Sequence, residues 1–139
     1  EDAEKVTAAQ QVLLGGDLQR AEAMLAPVIK NTPDEYRNST GTKRGEGGVS
    51  VKFWDQDDFI HFVTWQQAKW KKTGEEPFGI QWIGNAYPRA HYYMGFLLVK
   101  RKNFARAIKF LRRGIELEPR SALLKCELAR ALILSGKHD

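Results

Sequence analysis

The sequence predicts an all-helical solenoid of helix-turn-helix units, about two and a half of them, with a partly folded insertion after the first. Three observations predict it. Gly95, Ala107 and Pro119 stand twelve residues apart in succession, and the same small-Ala-Pro spacing occurs at Ala9, Ala21 and Pro33. Ala129 lies 34 residues beyond Gly95, with Leu128 before it and Leu132 three residues after it, so the pattern starts again. Ala9 and Gly95 are 86 residues apart, which is one period of 34 and a surplus of 52. Small residues let two helix backbones approach closely, and a proline ends the second helix of a pair. A fixed period of this length marks stacked helical hairpins.

Taken in order, residues 3–14 and 18–31 read as an antiparallel helix pair turned at Gly15-Gly16-Asp17. Val6, Ala9 and Leu13, then Ala21, Leu25 and Val28, recur at helical spacing. Pro27 stands inside the second helix, where its ring clashes one turn back, and predicts a kink near Ala23. The surplus follows Pro33. Its opening, residues 38–48, holds Gly41, Gly45, Gly47 and Gly48 among polar residues, buries almost nothing and is expected to be a mobile loop. The remainder differs: all four tryptophans and four of the seven phenylalanines lie between Phe53 and Trp82. Each aromatic buried stabilises by about 1.5–3 kcal/mol, so this part is expected to fold.

Asp55 reads as the cap of a helix over 56–72, whose Phe59, Phe62, Val63, Gln66 and Trp70 share a face. Val49–Trp54 and Ile80–Ile83 flank it as a short two-stranded ribbon. Pro88 then suits the first turn of a helix, where its missing N–H is no loss. Helices over 88–100 and 104–117 follow, joined by Arg101-Lys102-Asn103, and a last helix runs from the cap Ser121 to Leu134, ended by Gly136. The resulting organisation is a first repeat at 2–35, an insertion at 36–87, a second repeat at 88–121 and, at 122–139, the first helix of a third. Because the chain opens at Glu1 and stops where a repeat would turn into its second helix, it reads as a fragment of something longer.

On these residues the chain resembles the tetratricopeptide repeat. Met94, Gly95, Leu98, Ala107, Leu111 and Pro119 match in the second unit, and Ala9, Gly16, Ala21, Leu25 and Pro33 in the first. Two departures stand out: Lys5 replaces a large apolar residue, and Gly114 an alanine. The segments Phe53-Trp54-Asp55-Gln56-Asp57-Asp58-Phe59 and Ile80-Gln81-Trp82-Ile83 are similar to those of a group of bacterial tetratricopeptide proteins of unassigned function that carry an aromatic insertion.

The resemblance implies a non-enzymatic scaffold, working without a cofactor, that takes a protein or peptide in a groove lined by the first helix of each pair. Carried onto this chain, that groove is Ala3, Val6, Gln10 and Leu13, then Arg89, Tyr92, Phe96 and Val99, then Leu123, Cys126, Arg130 and Ile133. Relatives that grip the acidic tail of chaperones use lysine and asparagine where this chain has Tyr92 and Phe96, so a different ligand is expected.

A second surface competes with the groove. Lys100, Arg101, Lys102, Arg106, Lys109 and Arg113, with Arg112, form the densest basic cluster, which reads first as a solvated outer face and second as a site for nucleic acid or another polyanion. The third reading is an accessory domain of a larger enzyme. Because the sequence stops before the second helix of the third repeat, an apolar edge is expected around Leu128 and Leu132, and a homodimer formed over it would be an artefact of that truncation.

Composition narrows the field. The formal charge of +5 on 139 residues is moderate, below what a dedicated nucleic-acid domain carries. The lone Cys126 excludes an internal disulfide. His61, His91 and His138 are dispersed, Asp55, Asp57 and Asp58 lack the glycine and glutamate of a calcium loop, and Gly41–Gly48 has no Gly-Lys-Ser/Thr step. No catalytic residue and no metal site is expected. With no apolar run of membrane-spanning length, no membrane partner is expected and a cytoplasmic location is the default.

Overall fold

The computed structural model describes residues 1–36, 39–41, 49–54, 56–75 and 79–136. Its elements are α1 (Asp2–Leu14), α2 (Leu18–Lys30), β1 (Ser39–Gly41), β2 (Val49–Phe53), α3 (Gln56–Thr73), β3 (Ile80–Gly84), α4 (Tyr87–Lys100), α5 (Phe104–Leu117) and α6 (Ala122–Leu134). They form two compact units, one made of Glu1–Tyr36 with Ala86–Asp139 and the other of Arg37–Asn85.

The first unit is a stack of helical hairpins. The turn between α1 and α2 needs a residue with positive φ, and Gly16 supplies it at +89°. Asp17 then starts α2 by accepting the Arg20 N–H on its carboxylate at 3.0 Å. Pro27 lies exposed inside α2, and the helix runs past it to Lys30. Ser121 caps α6 in the same way, its hydroxyl accepting the Leu124 N–H at 3.2 Å. The core is built from the periodic positions: Val6, Ala9, Ala21, Leu25, Val28, Met94, Leu98, Ala107, Leu111 and Leu124 are buried.

Two glycines show how tightly α4, α5 and α6 meet. A Cβ on Gly95 would lie 2.5 Å from Cγ of Leu111, so the leucine of α5 occupies the space a side chain would take. At Gly114, a Cβ would meet Leu124 at 2.7 Å and Cβ of His91 at 3.1 Å. That contact accounts for glycine at a place where the resemblance leads one to expect alanine.

Although 49 residues separate the two parts of this unit, α4 packs against both α1 and α2. The chain leaves at Tyr36 and returns at Tyr87, and these two rings meet edge to face with centroids 5.9 Å apart. The Tyr87 hydroxyl donates to Oδ2 of Asp2 at 3.0 Å, fixing the start of α4 to the start of α1. Burial and the Asp2 carboxylate push the Tyr87 phenol up, so it remains a donor at neutral pH. The hairpins therefore stack as if they were consecutive in sequence.

The second unit is a three-stranded sheet in the order β1-β2-β3, with α3 joining β2 to β3. β2 and β3 run parallel, with Val51 beside Trp82, and a parallel pair needs such a crossover. Phe53 packs against Phe59 and Phe62 at 5.5 and 5.3 Å, and Phe59 stacks on Trp82 at 5.9 Å. The Trp82 indole N–H donates to the Phe53 carbonyl at 3.3 Å.

This corrects the sequence reading in one respect. A two-stranded ribbon was expected, but Ser39–Gly41, inside the stretch expected to be a mobile loop, pairs antiparallel with β2 as a third strand. An isolated pair of strands is marginal, and the third strand satisfies the outer edge of β2. Asp55, expected as the α3 cap, and residues 38 and 42–48 of the expected loop lie outside the described residues.

Candidate functional site

In the first unit, the first helices of the hairpins touch one another, α1 with α4 and α4 with α6, whereas α2 and α5 share no comparable contact. A stack arranged in this way curves with α1, α4 and α6 on its inner side. That side is where the sequence places a groove, and α4 lies at its middle.

At the α1 side of α4, Arg89 is buried, and its guanidinium donates to Oγ1 of Thr7 at 3.3 Å and Oε1 of Gln10 at 3.4 Å. Arg89 and Gln10, both expected to meet a partner, instead tie α4 to α1. Val6, Leu13 and Val99 correct the expectation further, because all three are buried in the core and present no surface to a ligand. Where first helices press on one another, inward positions become packing positions. Ala3 is half-buried.

The centre of α4 is less deeply packed. Tyr92 and Phe96 are half-buried and their rings stack, with centroids 6.3 Å apart and planes at 28°. Tyr93 adds a third ring, edge-on to Tyr92 at 5.2 Å. The Lys100 ammonium sits over the Phe96 ring at 5.1 Å and closes this row at its C-terminal end. Together these side chains make a continuous aromatic strip with a cation at one end.

α6 packs against α4. Leu123, Cys126, Arg130 and Ile133 are all exposed on it. Burial raises the Tyr92 phenol above its ordinary value, and the carboxylate of nearby Glu127 adds to the effect while Arg130 opposes it. The Tyr92 hydroxyl therefore stays protonated at neutral pH. Glu127 is itself buried and accepts from Arg130 at 3.4 Å, which holds that guanidinium beside the strip.

Sequence reasoning missed Thr7, Tyr93 and Glu127. The spacing of Glu127 and Arg130, one turn apart with opposite charges, was a signal for an ion pair. Thr7 and Tyr93 carried no signal that a groove assignment by position could use.

The basic cluster has a different character. Arg101 and Arg106 both pair with Glu22 of α2, Arg106 at 3.4 Å, and Arg106 also lies over the Phe110 ring at 6.0 Å. Arg113 pairs with Glu116 at 2.8 Å. Lys102 and Lys109 are exposed. Three of the arginines are thus held by carboxylates of the chain itself, and two of them join α2 to the end of α4 and to α5.

Residues 88–121, which span α4, α5 and the turn before α6, match the family model of the tetratricopeptide repeat. That stretch of the chain is similar to a tetratricopeptide repeat. No curated protein and no solved structure matches it. The fold is accordingly a helical tetratricopeptide-type repeat with a small insertion, and repeats of this type generally mediate protein–protein interaction. Among the described residues, no group of His, Cys, Asp and Glu could hold a metal ion, and no helix is long and apolar enough to cross a membrane.

Proposed function

We propose that this domain is a cytoplasmic scaffold that binds a protein, or an extended segment of one, across the inner face of α4 and α6. The supporting observation is the stacked Tyr92–Phe96 pair, extended by Tyr93, half exposed on a helix whose opposite side is fully packed. Large aromatic side chains in well-packed surroundings are the usual anchors of protein interfaces. Here they lose little freedom on binding, because the strip is already ordered by its own stacking. Arg130, positioned by Glu127, supplies a polar contact to a partner's main chain, while Cys126 and Ile133 add apolar surface. No chemistry on the partner is required, and the domain acts without a cofactor.

A polyanion-binding role for the basic cluster is the weaker reading. Its arginines are largely neutralised by Glu22 and Glu116, so fewer cations are available to displace counterions from a phosphate backbone.

A displayed library of peptides selected on the domain tests the proposal. Selected peptides are expected to lose binding to a Tyr92→Ala/Phe96→Ala variant that retains its helical circular dichroism. Peptides that bind that variant as well as the original would show that the working surface lies elsewhere.

A further inference from the structure

The C-terminal half of α3, in the second unit, carries a surface that the groove does not account for, and we infer that it binds an acidic segment of a partner protein with an apolar side chain among its carboxylates. Two independent observations meet there. Trp65 is 57% exposed, although Gln66 and Trp70 of the same helix are buried and Phe59 and Phe62 pack on Phe53. Lys69, Lys71 and Lys72 follow within two turns, and all three are exposed.

These lysines differ from the arginines near α5 in what meets them. Arg101, Arg106 and Arg113 pair with Glu22 and Glu116, whereas among the described residues no carboxylate forms an ion pair with Lys69, Lys71 or Lys72. Lys71 and Lys72 in the last turn suit the helix dipole, as do Asp57 and Asp58 in the first. The dipole gives no reason for a tryptophan left in solvent.

Trp65 is nevertheless held in place. The Lys69 ammonium lies over its ring at 5.6 Å, and the ring meets Phe62 at 5.9 Å, so little freedom is lost when a partner covers it. Trp65, Lys69 and Lys72 form one stripe along the helix, and the exposed Ala68 stands beside it, three residues after Trp65 and four before Lys72. The small Ala68 leaves low ground next to the indole. There an apolar side chain of the partner rests against Trp65, and the carboxylates flanking it reach Lys69 and Lys72 in charge-assisted hydrogen bonds.

The extent of the patch selects the class of partner. A strand of nucleic acid needs cations along its whole track. The N-terminal half of α3 offers Asp57 and Asp58 and neither lysine nor arginine, and Glu75 follows the lysines. A few cations around one indole match a short run of acids instead.

Fluorescence anisotropy with a labelled ten-residue peptide, glutamate throughout except for one central leucine, titrated with the full chain at physiological salt, tests this inference. Saturable binding is expected, weakened about tenfold or more by Trp65→Ala, by Lys69→Gln/Lys72→Gln and by glycine in place of the peptide's leucine. Tyr92→Ala/Phe96→Ala and Lys102→Gln/Lys109→Gln are expected to bind within about twofold of the original. Circular dichroism checks that each variant keeps its helices, which the exposure of Trp65, Lys69 and Lys72 leads one to expect. The inference is overturned by a peptide that does not bind saturably, by equal binding to Trp65→Ala, or by loss of binding to Tyr92→Ala/Phe96→Ala. Tighter binding of a twelve-nucleotide oligothymidine than of the peptide also overturns it and makes the surface a nucleic-acid site.

Discussion

α4 contributes to both surfaces that the sequence offers to a partner, and the two differ in what satisfies them. On its inner side the rings of Tyr92, Tyr93 and Phe96 stack on one another and stay half exposed. At its C-terminal end and along α5, Arg101, Arg106 and Arg113 are matched by Glu22 and Glu116 of the same chain. Density of like charge in a sequence is thus a poor guide to a binding site when acids distant in sequence return to meet it. Apolar surface has no such neutralising partner: unless another helix covers it, it remains available.

The comparison presupposes a rigid frame beneath both surfaces, and the largest effect is expected where that frame is tightest. Gly95→Ala places a methyl against Leu111, and chemical denaturation is expected to report a loss of about 1–3 kcal/mol despite alanine's better helix propensity. Adding Leu111→Ala to that variant is expected to cost less than the two changes summed, since the second removes the clash of the first. Additive costs would mean that the close approach of α4 and α5 is not the reason for glycine.

A smaller effect sharpens the contrast between the surfaces. Glu22→Gln releases Arg101 and Arg106 together; their pairs are partly exposed, so the expected loss is about 0.5–1 kcal/mol. The same change is expected to raise the salt needed to elute the domain from a heparin column, because two guanidinium groups become free. Unchanged elution would show that Glu22 does not mask the basic surface.

The fold is read in sequence chiefly through its punctuation. Gly16, Asp17, Pro88, Ser121 and the small-Ala-Pro spacing placed every helix of the repeat stack to within about two residues, because each acts locally on the backbone. The sheet of the insertion was less legible. Pairing of β2 with β3 joins segments on either side of an 18-residue helix, and β1 lies in a polar, glycine-containing stretch with little strand propensity. Of the residues assigned to the groove, Tyr92 and Phe96 are half-buried and Cys126, Arg130 and Ile133 exposed. Val6, Leu13 and Val99 are in the core, since contact between first helices turns their inward direction into burial. Arg89 was assigned to a ligand, but its partners Thr7 and Gln10 lie about 80 residues earlier.

The smallest expected effect concerns pH. His91 is buried between α4 and α5, where burial holds its imidazole below the ordinary histidine value of 6.5 and Arg113 adds to this, while its bond to the Tyr87 carbonyl at 2.7 Å acts in the opposite sense. The folded state therefore favours the neutral ring. Its contribution is complete above about 6.5 and declines as pH falls below that value, so the melting temperature is expected to drop under mild acid. His91→Gln should flatten that part of the profile; an unaltered slope would assign it to another group.

The contrast between aromatic strip and basic cluster is decided most directly by titrating one library-selected peptide against three folded proteins at physiological salt. These are the original domain, Tyr92→Ala/Phe96→Ala and Lys102→Gln/Lys109→Gln. The aromatic variant is expected to bind at least about tenfold more weakly and the lysine variant within about twofold of the original. A lysine variant that loses most of the affinity, with the aromatic variant intact, would contradict the account and move the site to the basic surface.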